Sequence, residues 1–506
     1  MILFPDFAPD RSGYALSASR SINNCQPVTD GWGPFPGLTT VSSALPLACK
    51  GAIAVRTISG SWATFVGTQQ KLYKLDTSTA LYGFTDYTRL SGGNYSVPNT
   101  DRWCFTPVGG RLIANNINDD IQYLDVNSGS NFALLPGSPP KAKFSWTASE
   151  FVVLGNLANE PNFLQWSAYG DTESWTRGIG GAWKQELPDG GEVQGGFGND
   201  KGAIVFQRSK IKAMIYTADS AGFDIVTVNE ARGAIAPYCI VAIAPGQYFY
   251  LSDDGFYIFA DGQDIPVGNE RVDRWFLGSD ADGIPSEVDR ENLGAVRAFL
   301  DPFRKVVIVQ YPKTDGTFGT IGLNYVLTGS DGRPGRWFSI DLSVEEIVAL
   351  ATAGITIDGL ATLYSSIDAI DQPFDSRLFS GGKPTIGAFK TDHKMAFFTG
   401  ANLEATLETP KIQLTPGYRS LVQEVSLSGD LDPTDVSVQV GVADRRGQAT
   451  TWSSEYMAES DGTGIFKTLD DGRFHQFRVN IPEGTDWNSL AGIDDQESVW
   501  TQTGRS

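Results

Sequence analysis

The chain is 506 residues long, too long for one ordinary core, so its length asks for two or more domains or one large repeat domain. Its 39 Lys and Arg stand against 59 Asp and Glu, and a formal charge of −20 argues against tight, non-specific wrapping of nucleic acid. The 56 Gly and 26 Pro suit many short strands joined by tight turns better than a helical protein.

The N-terminal stretch "MILFPDFAPDRSGY" has no basic start, no long apolar segment and no small-residue cleavage site, so no signal peptide is expected. No apolar run approaches the roughly 20 residues that span a bilayer, and neither a membrane anchor nor a basic amphipathic face is expected. Cys25, Cys49, Cys104 and Cys239 are scattered, without a CxxC pair or a nearby His. That spacing reads as free thiols in a reducing cytoplasm rather than as a zinc site or a disulfide framework. Residues 1–40 form an N-terminal arm.

From about residue 40 one unit recurs: an apolar strand, a polar turn and a second strand ending at an aromatic or Asp. Copies start at Trp62 ("WATFVGTQQKLYKLDTS"), Gly110, Phe151 ("FVVLGNLANEPNFLQWSA"), Lys201, Gly246 and Arg304, with a looser one at Asp358. The starts lie roughly 40–60 residues apart, the period of a propeller blade. Such hairpins cannot bury both faces alone and must stack around an axis. Only "NERVDRWFL" near Arg271 and "SVEEIVALA" near Val344 read as short helices. Residues 41–402 are therefore expected to form a β-propeller of six or seven blades.

The pattern changes at residue 403. Leu403, Ala405 and Leu407 alternate strictly with Glu404, Thr406 and Glu408, and Pro410 stops the strand. The first three are expected to be buried, with Glu404 and Glu408 facing outward. "RSLVQEVSLSG", "DVSVQVGVADRRG", "ATTWSSEYMA" and "GRFHQFRVNIP" follow as antiparallel strands separated by turns. Residues 403–506 thus read as a C-terminal β-sandwich-like domain, and the fold class as all-β. Leu403 to Glu408 become the inter-domain junction strand, placed to couple the two domains stiffly.

Chemistry-bearing residues are sparse. The two histidines are His393 and His475, there is no GxSxG elbow, and His475 reads as an exposed strand residue. "GGFGNDKG" (Gly195 to Gly202) runs into a strand rather than a helix, so a blade-to-blade turn is expected instead of a phosphate cradle. In "SDADGIPSEVD", Asp280, Asp282 and Glu287 suggest a calcium loop. Ile284 and Pro285 stand where such a loop needs an oxygen ligand and Gly, and only Glu291 matches, which leaves a solvated loop as the expectation. "SDDG" (Ser252 to Gly255) and "DDG" (Asp470 to Gly472) read as hairpin turns. "SAYGDTESW" (Ser167 to Trp175) and "SDGRPGRW" (Ser330 to Trp337) come near sialidase-type boxes but miss the spacing. No pair of carboxylates is nominated for glycoside cleavage. No catalytic residue, cofactor or metal is assigned. The alternative function is a carbohydrate-binding or glycan-cleaving propeller.

The run from "SSIDAIDQPFDSRLF" to "LEATLETPKIQL", together with "GRFHQFRVNIPEGTDWNSLAGID", resembles bacteriophage tail nozzle proteins, also called packaged-DNA stabilisation proteins. "SINNCQPVTDGWGPFPGLTTV" is similar to that family's opening arm, and "FLQWSAYGDTESWT" to one of its blade segments. The resemblance implies a non-enzymatic virion protein, assembled in the host cytoplasm as a homohexameric ring below the head-to-tail adaptor. Other tail proteins (fibres, spikes or a needle) are its implied neighbours. Double-stranded DNA would pass through the lumen without sequence-specific binding, along a wall whose acidic charge does not trap phosphate.

Overall fold

The computed structural model describes residues 1–79, 81–217, 219–351, 384–459 and 462–505. The fold is all-β, and the described residues contain seven four-stranded blades arranged as a propeller. Their innermost strands are Cys49–Arg56, Cys104–Val108, Ala142–Ala148, Val193–Asn199, Ile240–Ala244, Arg297–Asp301 and Val344–Ala351. The last of these packs against the first, which closes the ring. Blade 7 is completed by the N-terminal strand Thr39–Ala44, antiparallel to Lys394–Phe397 with Thr40 opposite Ala396. Both ends of the propeller segment thus meet in one sheet.

Six of the expected repeat starts fall on the second strands of blades 1 to 6: Trp62–Thr68, Arg111–Asn115, Phe151–Leu157, Gly202–Gln207, Gln247–Ser252 and Val306–Pro312. The start at Asp358 lies outside the described residues. Second strands sit inside the blade and are covered on both faces, as in Phe151–Leu157, where every residue is buried. They carry the strongest apolar signal for that reason.

The helix expected near Arg271 is present as Asp273–Leu277. The one expected near Val344 is instead the strand Val344–Ala351. A bulge between Val344 and Glu346 adds one residue to the pleat, so the apolar positions mimic a helical period in the sequence.

Beyond the propeller, two sheets face each other. One runs in the order Cys25–Val28, Gly31–Pro34, Trp487–Arg505, Tyr418–Leu431, Phe466–Gly472, with Ile2–Leu3 also on Trp487–Arg505. The other contains Ile22–Asn23, Ala405–Glu408, Phe474–Ile481, Ser437–Ala443 and Thr451–Trp452. Val422, Val425, Val438, Val440, Phe477 and Val479 fill the space between them. The N-terminal arm therefore supplies strands to the sandwich. Asp470 and Asp471, expected in a hairpin turn, lie in the strand Phe466–Gly472, opposite Val422 and Leu421. The reversal falls on Arg473 alone, where the chain crosses from one sheet to the other.

Candidate functional site

The first site is the joint between the two domains. Asn23 pairs in parallel with Ser339 of blade 6, and Ile22 and Asn23 pair antiparallel with Leu407 and Thr406. Blade 6 and half of the sandwich thereby become one continuous ten-stranded sheet. The junction strand is Ala405–Glu408, and it reaches the propeller through the arm rather than directly. Leu407 and Ala405 are 0% exposed, Leu403 is half-buried against the same core, and Glu404 is exposed.

Glu408 departs from its expected outward position: it is 8% exposed and accepts from Arg478 Nε at 2.8 Å and from Gln476 Nε2 at 3.1 Å. The strand Phe474–Ile481 lies directly beside it, with Arg478 opposite Glu408, so this face of the junction is covered. Arg478 in turn stacks on Trp452, 3.9 Å from the ring centroid.

The arm is clamped by buried charge. Asp6 pairs with Arg336 at 2.6 Å, and Asp331 pairs with Arg271 and also with Arg11 at 3.1 Å. Asp10 accepts from the backbone N–H groups of Arg274 and Trp275 at 3.0 and 2.6 Å, doing for the short helix what its own N-cap residue does not. Phe7 meets Trp275 edge-on at 5.5 Å, and Trp32 Nε1 donates to Phe4 O at 2.9 Å. Sequence reasoning found the junction strand but missed the arm's part in the joint, because the arm's partners are far apart along the chain. The charged residues Asp6, Arg271, Asp331 and Arg336 carry no periodic signal.

The second site is the propeller axis. A cavity of about 350 Å³ is lined from all seven blades, with Ile53, Arg102, Phe144, Gly196, Tyr238 and Val348 among its wall residues. A second cavity, about 610 Å³, continues along the axis and shares Phe105, Trp146 and Phe197 with the first. The glycine run "GGFGNDKG" finds its reason here. Gly196 lies against the Trp146 ring, and a Cβ on Gly198 would stand 1.8 Å from Thr147 O of the next blade. The run is a hairpin within blade 4, from Val193–Asn199 to Gly202–Gln207, not a blade-to-blade turn.

One end of the axis is charged. Arg102 and Arg297 share Glu346, which is fully buried, and Arg297 Nη1 lies 2.8 Å from it. Lys143 pairs with Asp101 at 2.7 Å, and the Arg102 guanidinium lies 5.5 Å from the Tyr238 ring centroid. Burial, then the charge of Arg297, pulls the Arg102 pKa well below its ordinary value. Burial likewise lowers Arg297 and Lys50 and raises Cys49 to about 12.

The remaining candidates are dispersed. His475 is not an exposed strand residue: it is 0% exposed, because His475, Phe477, Val479 and Ile481 are the inward positions of their strand. His393 holds Glu345 at 2.6 Å. In the suspected calcium loop, Asp282 pairs with Arg274 at 2.7 Å and Glu287 with Lys313 at 3.1 Å, while Asp280 is open to solvent. Among the described residues no group of three His, Cys, Asp or Glu is placed to hold a metal. Trp175 and Trp337 seal cores, their indole N–H groups donating to Thr172 O and Val267 O at 2.9 and 2.8 Å. All four cysteines are free. No helix among the described residues is long and apolar enough to cross a membrane.

A third cleft, about 560 Å³, is lined by Asp10, Asp253, Asp254, Asp273, Arg274 and Asp282. Asp273 is raised to about 8, chiefly by burial and further by Asp10 and Asp254, against the lowering effect of the Phe256 N–H that it accepts at 3.0 Å.

No family model matches the chain, and no curated protein matches it. Among solved structures it is similar to BamB from Moraxella catarrhalis, at 14% identity over 62% of this chain and 92% of that chain, with a TM-score of 0.29. It is also similar to a chain of the mitotic checkpoint complex, at 10% identity over 74% of this chain and 95% of that chain, with a TM-score of 0.35. A glycoside hydrolase is similar at 11% identity over 90% of this chain and all of that chain, with a TM-score of 0.26.

Proposed function

We propose that this chain is a non-enzymatic structural protein of a bacteriophage tail. It forms a hexameric nozzle ring below the head-to-tail adaptor, surrounds the DNA channel, retains the packaged genome and conducts it during ejection. The observation that carries this reading is the continuous ten-stranded sheet through blade 6, the arm and the sandwich. A hinge between domains needs a linker that carries few contacts. Here a ladder, a shared apolar core and the Asp6–Arg336 and Arg11–Asp331 pairs cross the boundary instead. A subunit built as one stiff block suits a tube wall that carries the pressure of packaged DNA. The formal charge of −20 suits a lumen that lets phosphate slide past.

The partners in this reading are further copies of the chain, the adaptor and neighbouring tail proteins. The test is a virion assembled without it: such particles are expected to package DNA and then lose it. Particles that keep a full genome without the chain refute the proposal. A second reading, a glycan-binding propeller, draws on one surface feature. Tyr169 and Tyr216 are exposed and stack at 6.1 Å with 27° between their planes, backed by Phe151. Aromatic faces of this kind can carry a sugar ring, and a glycan array tests it.

A further inference from the structure

The two ends of the C-terminal sandwich carry charge of opposite sign. At one end, where Tyr418 stands opposite Arg505 and Ala443 opposite Phe474, Lys411, Arg419, Arg445, Arg446 and Arg473 come together. Tyr14 of the arm is their anchor. Its hydroxyl accepts from the Gly447 N–H at 3.0 Å, and Arg446 and Lys411 lie 5.6 and 5.9 Å from its ring centroid. Tyr14 also meets Phe474 edge-on at 5.3 Å, and Arg473 lies 5.6 Å from the Phe474 centroid. Arg419 takes the acids Asp444 and Asp471. Lys411, Arg445, Arg446 and Arg473 have no carboxylate partner among the described residues. Every residue of the turn from Asp444 to Ala449 is exposed.

The opposite end, where Leu431 stands opposite Trp487 and Ser437 opposite Asn480, carries Asp430, Asp432, Asp435, Glu483 and Asp486. All five are exposed, and the loops 432–436 and 482–486 contain no Lys or Arg. At about 3.3 Å per residue, the eight-residue strand Phe474–Ile481 sets the two ends about 25 Å apart, beyond the Debye length of about 8 Å at physiological salt. They therefore act as separate surfaces.

We propose that the basic end is a docking surface for the acidic end of a second copy of this chain. Chains of net charge −20 repel one another, so close contact between copies needs cations of one set against acids of the next. Arginine forks match carboxylates, and the packing around Tyr14 orders the cations before the partner arrives, which lowers the cost of docking. A nucleic-acid backbone also fits the cations alone, but the matched acidic end favours a second copy. The contact is heterologous: it repeats from copy to copy and closes into a ring when the rotation allows. The proposal rests on the ring reading above and names its interface.

The test is sedimentation velocity and negative stain of the full chain, alone and with adaptor complexes, at about 50 and about 500 mM NaCl. Rings are expected at low salt, with association at least about tenfold weaker at high salt. Arg445→Glu/Arg446→Glu and Glu483→Lys/Asp486→Lys change only exposed side chains, and thermal melts check that both variants fold. Each alone is expected to form no ring, because one end of every contact is reversed. Mixed in equal amounts they are expected to regain rings of alternating copies, which an even number of subunits permits. Rings that survive either swap or high salt, or variants that stay apart when mixed, overturn this proposal and leave the tail reading standing. So does capture of double-stranded DNA by the basic end with ring formation unmoved by the swaps. A wild-type chain that forms no ring in any of these conditions overturns both.

Discussion

Leu407 is the residue at which the joint between propeller and sandwich is most exposed to test. It is 0% exposed, pairs with Ile22 of the arm on one side and Val479 on the other, and belongs to the core that reaches into blades 5 to 7. Truncation to Ala removes a fully buried side chain, which costs about 2–5 kcal/mol. Leu407→Asp adds a carboxylate with no partner, worth several kcal/mol more, and brings the total to about 5–8 kcal/mol. That is comparable to the whole stability of an ordinary domain, about 5–15 kcal/mol, so Leu407→Asp is expected to lose the sandwich. Leu403→Asp, at a half-buried position, is expected to cost about 1–2 kcal/mol.

Calorimetry and hydrogen exchange on Leu407→Ala give the decisive comparison. Because Asn23 pairs with Ser339, loosening the junction is expected to raise exchange in Pro334–Ile340 of blade 6 as well as in Phe474–Ile481. A propeller that melts at its original temperature, with Pro334–Ile340 exchange unchanged while the sandwich loosens, refutes the welded joint.

Four further outcomes follow from named contacts. Asp273→Asn is expected to stabilise the chain: with the folded acid raised to about 8 and the unfolded one near 4, the folded state holds the extra proton between those values. Wild-type stability therefore falls as pH rises from about 4 to 8, and the variant's advantage grows to a few kcal/mol across that window in urea titrations at several pH values. His475 is buried and its pKa is lowered from 6.5 by desolvation, so stability is full above that value and declines as pH falls below it. His475→Leu is expected to flatten that part of the pH–stability curve. Gly198→Ala drives a Cβ against Thr147 O and is expected to cost about 1–3 kcal/mol in chemical denaturation. Asp6→Ala leaves Arg336 uncompensated in a largely buried position, and limited proteolysis is expected to release the arm ahead of the propeller.

The parts of this fold legible in the sequence are those where burial is local and two-sided. Second strands such as Phe151–Leu157 and Val306–Pro312 read clearly because all their residues are apolar or covered. The inner strand Val193–Asn199 did not, since its glycines serve close approach at the axis rather than burial. The 19-residue strand Trp487–Arg505, the longest in the sandwich, was hidden by a polar sequence and by bulges that break its alternation against Tyr418–Leu431. Arm strands as short as Ile2–Leu3 and Ile22–Asn23 carry no signal alone and exist only through partners such as Ile493 and Leu407. Ala405 and Leu407 were legible from strict alternation, whereas Leu403, expected to be buried with them, lies ahead of the strand and is half-buried. The burial of Glu408 was not, because it depends on Arg478 and Gln476 arriving from a later strand. The axial cavity has no sequence signature at all: Ile53, Arg102, Trp146 and Tyr238 meet only when the blades close.

The central claim is that this chain is a ring-forming tail subunit, and the native mass of the purified protein, imaged in negative stain alone and after mixing with head-to-tail adaptor complexes, tests it most directly. Six copies in a ring, formed alone or on the adaptor, is the predicted result. A monomer in both conditions, absent from every adaptor particle, contradicts it.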